Sequence, residues 1–528
     1  MKPTFLGFQT AARAMAASQA SLEVTGNNIA NANTVGYTRQ RVDLNSISAS
    51  GFTQKYAVAG ASTGLGVEVG GISQIRDPFL DLRYRSENAE SGKLDTILTG
   101  LSSLENIFDE TENPGLQSEL SNFTNQLQTL SQSPTSKDLQ MIVRTAAQKL
   151  TQVMNIYSQQ TDQVRDQQIY GLSNIVVNND FNAIVKNIAS MNKQIREDQT
   201  YGDPSNELKD QRNVLMDNLS RIANIKVSVT PDRISEDLTV DRVSISLYDP
   251  DTSTSILLLE NDRYNTLSVD SSKEDVRITI SRSIADQQHP SNDVTEHFSG
   301  GVIKGYLDVI NGKGNYADLT KNENAFRGTL YYKSTMDTFA ANFASALNTI
   351  NATEDTTTNP TTTVPKPLFS SSDGAATPIT AGNIRIASAW LDNPSYITTT
   401  KDTPPRGGSD NVLKMIQAMS EKHAFTKAPK NPADPPVPVF EGSYNQYMTG
   451  LVSELALDKN LNQNFANTSH SVLNGIFDSR ESISGVSMDE EGINLMAYQK
   501  SYNAAARFLT TLDEAVDTLI NRMGIVGR

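Results

Sequence analysis

Apolar residues recur at alternating intervals of three and four positions at both ends of the chain, which is the spacing of one helix face. The C-terminal seam is unbroken over four heptads and the N-terminal seam is thinner and surrounded by alanine, which predicts terminal helices too weak to fold alone. An alternative is that both helices pack on an ordinary domain core. The N-terminal seam consists of Phe5, Phe8, Ala12, Met15, Gln19, Leu22, Gly26 and Ile29, and the C-terminal seam consists of Leu495, Tyr498, Tyr502, Ala505, Leu509, Leu512, Val516, Leu519 and Met523.

Between the ends, the period of the apolar residues changes. Residues 77–223 repeat the helical spacing, and Asp77-Pro78 has the form of an N-cap followed by proline at the first helical position. From Ile225 onward apolar residues alternate every second position, as in β-strands. We therefore predict an elongated α+β multidomain protein with paired terminal helices forming a coiled coil, a long-helix bundle and inserted β-rich modules.

These changes predict four units. We expect a terminal coiled-coil domain, a helical rod-like domain, a β-rich domain, and an irregular Thr/Pro-rich insertion with a small β element. Their predicted boundaries are 1–45 with 489–528 for the first, 46–224 with 325–352 and 441–488 for the second, 225–324 for the third and 353–440 for the fourth.

Composition narrows the class of partner. The net charge of the 528 residues is -15, and the mean hydropathy is -0.40, so we expect no nucleic-acid partner. No apolar run is long enough for a membrane span or a signal peptide, so we expect no membrane partner and export, if any, by another route. The absence of cysteine excludes disulfides and thiolate metal sites.

Candidate chemistry is weak throughout. None of the four histidines lies three or four positions from another, and no phosphate-loop or nucleophile-elbow motif occurs. Gly64-Leu65-Gly66-Val67 fits a turn before a strand better than a dinucleotide fingerprint. Asp489-Glu490-Glu491 is compatible with paired carboxylates, but favourable charge at a helix N-terminus explains it more simply. We therefore expect that the protein is not an enzyme and that it has no cofactor and no metal site.

Four asparagines follow the first seam, in Asn27-Asn28-Ile29-Ala30-Asn31 and at Asn33. One interpretation is that they end the helix, because Asn and Gly are frequent stop residues. The other is that the amides of Asn27 and Asn31, four positions apart, hydrogen-bond a neighbouring chain and fix its register.

The motifs at both ends resemble the signatures of bacterial flagellar rod, hook and hook-associated axial proteins. The N-terminal match is Asn27–Asn31 with Thr34, Gly36, Tyr37 and Arg39, and Gly64–Val67 and Ile75–Asp77 also resemble the family's early segment. At the C-terminus, Ser482–Glu491 is followed by Tyr498-Gln499 and Tyr502–Arg507. The Ser-Gly-Val-Ser and Asp-Glu-Glu pieces are most similar to hook-associated members at the hook–filament junction.

The resemblance implies a structural subunit that leaves the cytoplasm through the flagellar type III export channel and becomes part of the extracellular flagellum. It implies four partners: further copies in a helical junction layer, the hook protein, the second junction protein (hook-associated protein 3), and a cytoplasmic export chaperone on the C-terminal helix. Two alternatives stay open. One is another axial protein of hook, rod or filament type, and the other is an exported adhesin or hydrolase carrying flagellar-type ends.

The mechanism that we expect is coupled folding and polymerisation, in which the two seams pair within a subunit and then with neighbouring subunits. The predicted assembly interface comprises Phe5, Phe8, Met15, Leu22, Asn27, Asn28, Ile29, Asn31, Tyr498, Tyr502, Leu509, Leu512, Val516 and Leu519.

Overall fold

The computed structural model describes residues 6–47, 64–109, 115–235, 239–250, 253–284, 291–355, 362–373, 377–401, 407–427 and 437–522. A π-helical segment, Gly171–Phe181, joins the fourth and fifth helices, and a short one, Thr518–Arg522, extends the last. The helices are α1 (Leu6–Ala30), α2 (Pro78–Phe108), α3 (Leu116–Gln132), α4 (Lys137–Tyr170), α5 (Asn182–Thr200), α6 (Asn206–Ile222), α7 (Gly301–Asn311), α8 (Thr329–Asn351), α9 (Ser388–Asp392), α10 (Asp410–Ser420), α11 (Tyr444–Ser484) and α12 (Met488–Asp517).

Short antiparallel sheets separate these helices, which confirms the predicted α+β multidomain class. One sheet has four strands in the order β3-β4-β5-β6, and the other strands pair two by two. The strands are β1 (Gln40–Ser46), β2 (Val67–Gln74), β3 (Ile225–Arg233), β4 (Thr239–Asp249), β5 (Thr254–Glu260), β6 (Arg263–Tyr264), β7 (Thr266–Asp270), β8 (Arg277–Ser281), β9 (Thr353–Asp355), β10 (Thr362–Val364), β11 (Phe369–Ser371), β12 (Ile384–Ile386), β13 (His423–Lys427) and β14 (Val437–Gly442).

Local sequence explains several helix starts. The side chain of Asp77 accepts a hydrogen bond from the backbone N–H of Phe79, and Pro78 occupies the first helical position, as predicted. Ser443 and Gln446 form a capping box at the start of α11, which satisfies backbone donors that a helix start leaves free. These caps fix where α2 and α11 begin.

The larger core lies between α2, α3, α4, α8 and the first half of α11. Three buried aromatic residues from the predicted irregular insertion, Phe369, Trp390 and Phe425, complete it. The rings of Phe369 and Trp390 meet edge to face at 5.9 Å. The insertion therefore belongs to the helical core, and it contains α10, which its irregular composition did not predict.

The second core lies between the four-stranded sheet and the helices α5, α6 and α7. Ile225, Val227 and Val229 of β3 pair with apolar residues of β4, as the alternating pattern requires. The predicted β-rich range also contains a helix, α7. It forms because the buried residues Ile303, Leu307 and Ile310 repeat at helical spacing. The proposed division into four units stays a prediction.

Two connections position the terminal helices α1 and α12: the β1–β2 hairpin between α1 and α2, and the short link between α11 and α12. The β1–β2 hairpin follows α1, and α2 begins directly after it. At the other end α11, whose 41 residues span about 60 Å at 1.5 Å per residue, lies antiparallel on α2 and ends at Ser484. Gly485, Val486 and Ser487 then separate α11 from α12. The hairpin, the end of α11 and both terminal helices therefore meet in one place.

Candidate assembly site

The helices α1 and α12 pack antiparallel in a constant register. A Cβ atom at Gly7 would lie 2.9 Å from Cδ1 of Leu512, so the two backbones approach closely at this end. The hydroxyls of Ser18 and Ser501 are 3.2 Å apart at the middle of the pair. At the other end, Nδ2 of Asn28 donates to Oε2 of Glu491 over 3.2 Å. The terminal helices thus pair along most of their length.

The buried face of α1 consists of small residues rather than of the large residues of the N-terminal seam. Close packing of two backbones favours small side chains, because each removes little space between the helices. The predicted seam residues Phe8, Met15, Leu22 and Ile29 are half-buried, and Phe5 lies outside the described residues. The buried positions are Ala11, Ala17, Ser18, Ser21, Val24, Thr25 and Asn28.

The helix α12 is covered on one side only. The predicted seam residues Tyr498, Tyr502, Leu509, Leu512 and Val516 are half-buried, while Leu519 is 49% exposed. Within α12 the structure buries a single residue, Glu491. Four further large apolar side chains of α12 are exposed, and these are Met488, Ile493, Met496 and Phe508. The pair therefore leaves apolar surface that the described residues of the chain do not cover.

A charged network fixes the base of the pair. Glu491 is 2% exposed, and its Oε1 accepts a hydrogen bond of 2.7 Å from Nε of Arg39. The guanidinium of Arg39 also donates to Glu490 over 2.7 Å, and its backbone N–H donates to the carbonyl of Ser484. Burial alone would lower the pKa of Arg39, but the two carboxylates raise it above its usual value. Arg39 thus joins the start of α12 to the end of α11.

Asn28 uses its whole amide inside the chain. Its Nδ2 donates to the carbonyl of Gln40 over 2.9 Å and to Glu491, while its Oδ1 accepts from the Tyr37 hydroxyl at 2.9 Å and the Gln40 N–H at 3.0 Å. Burial, followed by the negative charges of Glu207, Asp210 and Glu491, raises the pKa of Tyr37 to about 12. Tyr37 therefore stays a neutral donor at physiological pH.

The other asparagines shape the end of α1. Nδ2 of Asn31 donates to the backbone carbonyl of Asn27 over 3.1 Å and to its side-chain oxygen over 2.8 Å, and the amide of Asn27 donates to Glu207. The helix ends at Ala30, and Gly36 then takes a φ of +79°, which favours glycine. These contacts match the interpretation as a helix stop. The proposed role in fixing the register of a neighbouring chain stays a prediction.

Two carboxylates of α6 that sequence reasoning missed, the buried Asp210 and the half-buried Asp217, anchor this site to the rod. Asp210 of α6 accepts from the N–H and hydroxyl of Thr38 at 3.0 and 2.6 Å, and burial raises its pKa although these hydrogen bonds oppose the shift. Asp217 of α6 accepts from Arg85 at 2.9 Å and from Arg480 at 2.7 Å. No spacing signal in the sequence links these residues, because each pair joins elements far apart in the chain.

Metal and membrane sites find no support in the part of the chain that the structure describes. There, no three His, Asp or Glu side chains lie close enough together to hold a metal ion. None of the described helices combines the length and hydropathy that a membrane crossing needs.

The two ends of the chain fold together as a helix pair that is open on one side, at the end of a long helical rod. This arrangement places the chain in the class of axial assembly proteins. The family models agree. The model described as flagellar hook-associated protein FlgK helical domain matches residues 101–363, that of flagella basal body rod protein matches 8–38, and that of flagellar basal body rod FlgEFG protein C-terminal matches 480–523.

Curated relatives extend over the whole chain. The chain is 30% identical to flagellar hook-associated protein 1 of Bacillus subtilis over 534 residues, covering 100% of both chains. It is 24% identical over 558 residues to the protein of that name in Salmonella typhimurium, covering 96% of this chain and 97% of the relative. The chain therefore belongs to the flagellar hook-associated protein 1 family, which confirms the resemblance. It is an exported structural component of the flagellum and is not an enzyme.

A solved structure supports the fold. The flagellar hook junction protein FlgK from Burkholderia pseudomallei matches with a TM-score of 0.55 at 13% identity, covering 76% of this chain and 100% of that one.

Proposed function

We propose that this chain forms the layer that joins the flagellar hook to the filament, and that its terminal helices fold and polymerise in one coupled step. The observation that carries the proposal is the open side of α12. Its one buried residue is Glu491, while Ile493, Met496 and Phe508 are exposed. Further copies of the chain supply the missing cover.

The energies of ordering and burial favour this coupling. Burying a Leu or Phe side chain completely contributes about 1.5–3 kcal/mol. Ordering the backbone costs about 1–2 kcal/mol for each residue. In an isolated subunit α12 buries only one side of its seam, so the two contributions nearly cancel. Each neighbour adds burial without adding much ordering cost, and the pair becomes stable in the polymer.

The partners follow from the two edges of such a layer. One edge contacts the hook protein, and the other contacts the second junction protein, hook-associated protein 3. The proposed assembly interface is the set predicted from the sequence. Its members Asn28 and Leu512 act by pairing α1 with α12 inside the subunit, and its half-buried members, such as Tyr498 and Leu509, contribute the surface that neighbouring subunits cover. The names of the relatives and the chain's place in their family support this arrangement.

Before export, the exposed apolar side of α12 needs a cover in the cytoplasm. A dedicated chaperone that binds the C-terminal helix supplies it, and the exposure of Met496, Phe508 and Leu519 supports this assignment. After export the body faces the medium at the flagellum, where its net charge of -15 keeps it soluble.

Deletion of the gene tests the proposal. The expected result is cells with intact hooks, no filaments, and flagellin released as monomers into the medium. Electron microscopy of the hooks and an immunoblot of the medium measure these outcomes. Normal filaments in the deletion strain would overturn the proposal and favour an exported adhesin or hydrolase. Loss of the hooks themselves would favour a rod or hook role.

A further inference from the structure

The helix α11 carries an exposed apolar stripe along one flank, beside the face that packs on α2. Its successive members are 4, 4, 7 and 11 positions apart, which are close to whole numbers of helical turns, so they lie on one side of the helix. Leu457 is 67% exposed and Phe465 is 53% exposed, which is unusual for large apolar side chains on a rod-like body. The exposed apolar members of the stripe are Leu457, Leu461, Phe465, Val472 and Ile483.

The same part of α11 lacks charge. Residues 460–477 contain no Asp, Glu, Lys or Arg, although such residues make up 20% of the chain. Just before this stretch, Asp458 is paired with Arg327 at 3.0 Å, and Lys459 is paired with Glu105. His470 lies 3.1 Å from Asp95 of α2. Depletion of charge together with an exposed aromatic side chain is typical of the centre of a protein interface.

We propose that this flank of α11, the α11 stripe, is a contact surface for a second copy of the same chain. The inference rests on the proposed polymer and extends it from the terminal helices to the rod. Apolar exposure continues past Ile483 into α12, at Met488, Ile493 and Met496. Ile483 at the end of the α11 stripe and Met488 at the start of α12 are five positions apart, so the stripe ends next to the helix on which the polymer contact is proposed.

The size of the α11 stripe argues for a copy rather than for a separate binding protein. From Leu457 to Ile483 the helix is about 40 Å long, and a flank about 10 Å wide covers about 400 Å². A stable interface buries about 800 Å² on each partner, so the stripe supplies about half of what is needed. A neighbouring copy that already packs on α12 needs only to continue along α11 to cover the rest.

A single introduced cysteine tests the contact, because the chain contains no cysteine of its own. The probe position is Phe465→Cys, and the matched control is Asn474→Cys, which is also exposed on α11 and lies half a turn away around the helix. The rate of modification by a maleimide is measured on the purified subunit and on assembled flagella. We expect the rate at position 465 to fall about ten-fold on assembly, since the contact excludes water. The control rate should change less than about two-fold.

A photo-crosslinking residue at position 465 in assembled flagella identifies the covering protein. A product with the mass of two copies of this chain supports the inference. A product that contains only another axial protein overturns it, and so does an unchanged cysteine reactivity on assembly.

A charge variant provides a second readout. Leu461→Asp with Phe465→Asp places charge on an exposed surface, so the purified subunit should keep the circular dichroism spectrum of the unaltered protein while filament number per cell falls severalfold. Normal filament number would overturn the inference. The deletion strain distinguishes failure of the proposed function from failure of this inference. If the strain makes normal filaments, the proposed function fails. If it lacks filaments but Phe465 is not covered by a copy of the chain, only this inference fails.

Discussion

Arg39 and Glu491, 452 positions apart in the sequence, form a hydrogen-bonded ion pair of 2.7 Å at the base of the terminal helices. The carboxylate of Glu491 is buried, whereas that of the adjacent Glu490, which also binds Arg39, is 61% exposed. These neighbours therefore form a matched pair for testing what burial adds to the same ionic contact.

We expect Glu491→Ala to destabilise the terminal pair far more than Glu490→Ala. Removing one partner from a buried ion pair costs up to about 3–5 kcal/mol. In Glu491→Ala, Arg39 keeps only the exposed Glu490, and the buried amide of Asn28 loses its Glu491 acceptor. An exposed ion pair is worth about 0–1 kcal/mol. Hydrogen exchange of the α1 and α12 amides measures the difference. Equal exchange rates in the two variants would contradict the claim that the buried contact of Arg39 with Glu491 stabilises the pair more than the exposed contact with Glu490.

Asn28 and Asn31 provide a second comparison. Asn28→Ala removes all four hydrogen bonds of a buried amide, and each buried polar partner left unsatisfied costs about 1–3 kcal/mol. Asn31→Ala removes contacts at the partly exposed end of α1, so its cost should be about 1 kcal/mol. Urea unfolding, followed by a dye attached to a cysteine introduced into α1, reports both values. A larger loss for Asn31→Ala would contradict the assignment.

Gly36 should resist substitution for two separable reasons. Its φ of +79° disfavours other residues, and an added Cβ would lie 2.2 Å from Cγ2 of Val214. Gly36→Ala should therefore destabilise the protein by more than about 1 kcal/mol. Adding Val214→Ala should recover part of the loss by removing the clash, but not the cost of the backbone conformation. Thermal unfolding of the single and double variants measures the coupling, and strictly additive losses would exclude the clash.

Tyr37 should titrate near pH 12, because burial and then the charges of Glu207, Asp210 and Glu491 raise its pKa from 10.0. The raised pKa means that the folded state favours the neutral phenol. Its contribution to stability is complete below pH 10 and is lost as the pH rises towards 12. Tyrosine Cζ NMR of the protein and of Tyr37→Phe assigns the resonance. A Tyr37 signal that titrates at its ordinary pKa would contradict the burial of this hydroxyl.

Leu512→Asp should prevent assembly while the rod stays folded. The side chain of Leu512 packs against Gly7 of α1, so a carboxylate at position 512 would enter the contact between the two helices, where burying a charge is costly. Thr510→Asp, on an exposed position of α12, is the matched control for the intrachain pairing. Hydrogen exchange should show loss of α1–α12 protection only in the first variant, with the cores around Phe339 and Ile245 unchanged. A wild-type number of filaments in the Leu512→Asp strain would contradict the role of the C-terminal seam in assembly.

Sequence periodicity predicted the helices and sheets whose signal is local. The Asp77-Pro78 start of α2 and the alternating strands from Ile225 follow from neighbouring residues, and both appear in the structure. The helix α10 and the core position of Trp390 were not predicted, because they depend on packing between distant elements.

The candidate site was predictable only in part for the same reason. The residues of the C-terminal seam from Tyr498 to Val516 are half-buried, and Leu512 packs against Gly7 of α1; the role of the seam in assembly stays a prediction. The buried face of α1 is different, since close approach at Gly7 selects small residues that carry no hydrophobic signal. Glu491 was explained by helix electrostatics, and its contact with Arg39 depends on the folding of the chain ends together.

The register of α1 on α12 also sets the order of events during synthesis and transport. Asn28 and Glu491 lie 463 positions apart in the sequence, so α1 emerges long before its partner exists on the same side of any pore. Closing so long a loop carries a large entropic cost and is slow. The first helix therefore stays unpaired until the rest of the polypeptide has passed. The α1–α12 pair forms only once the whole molecule has arrived.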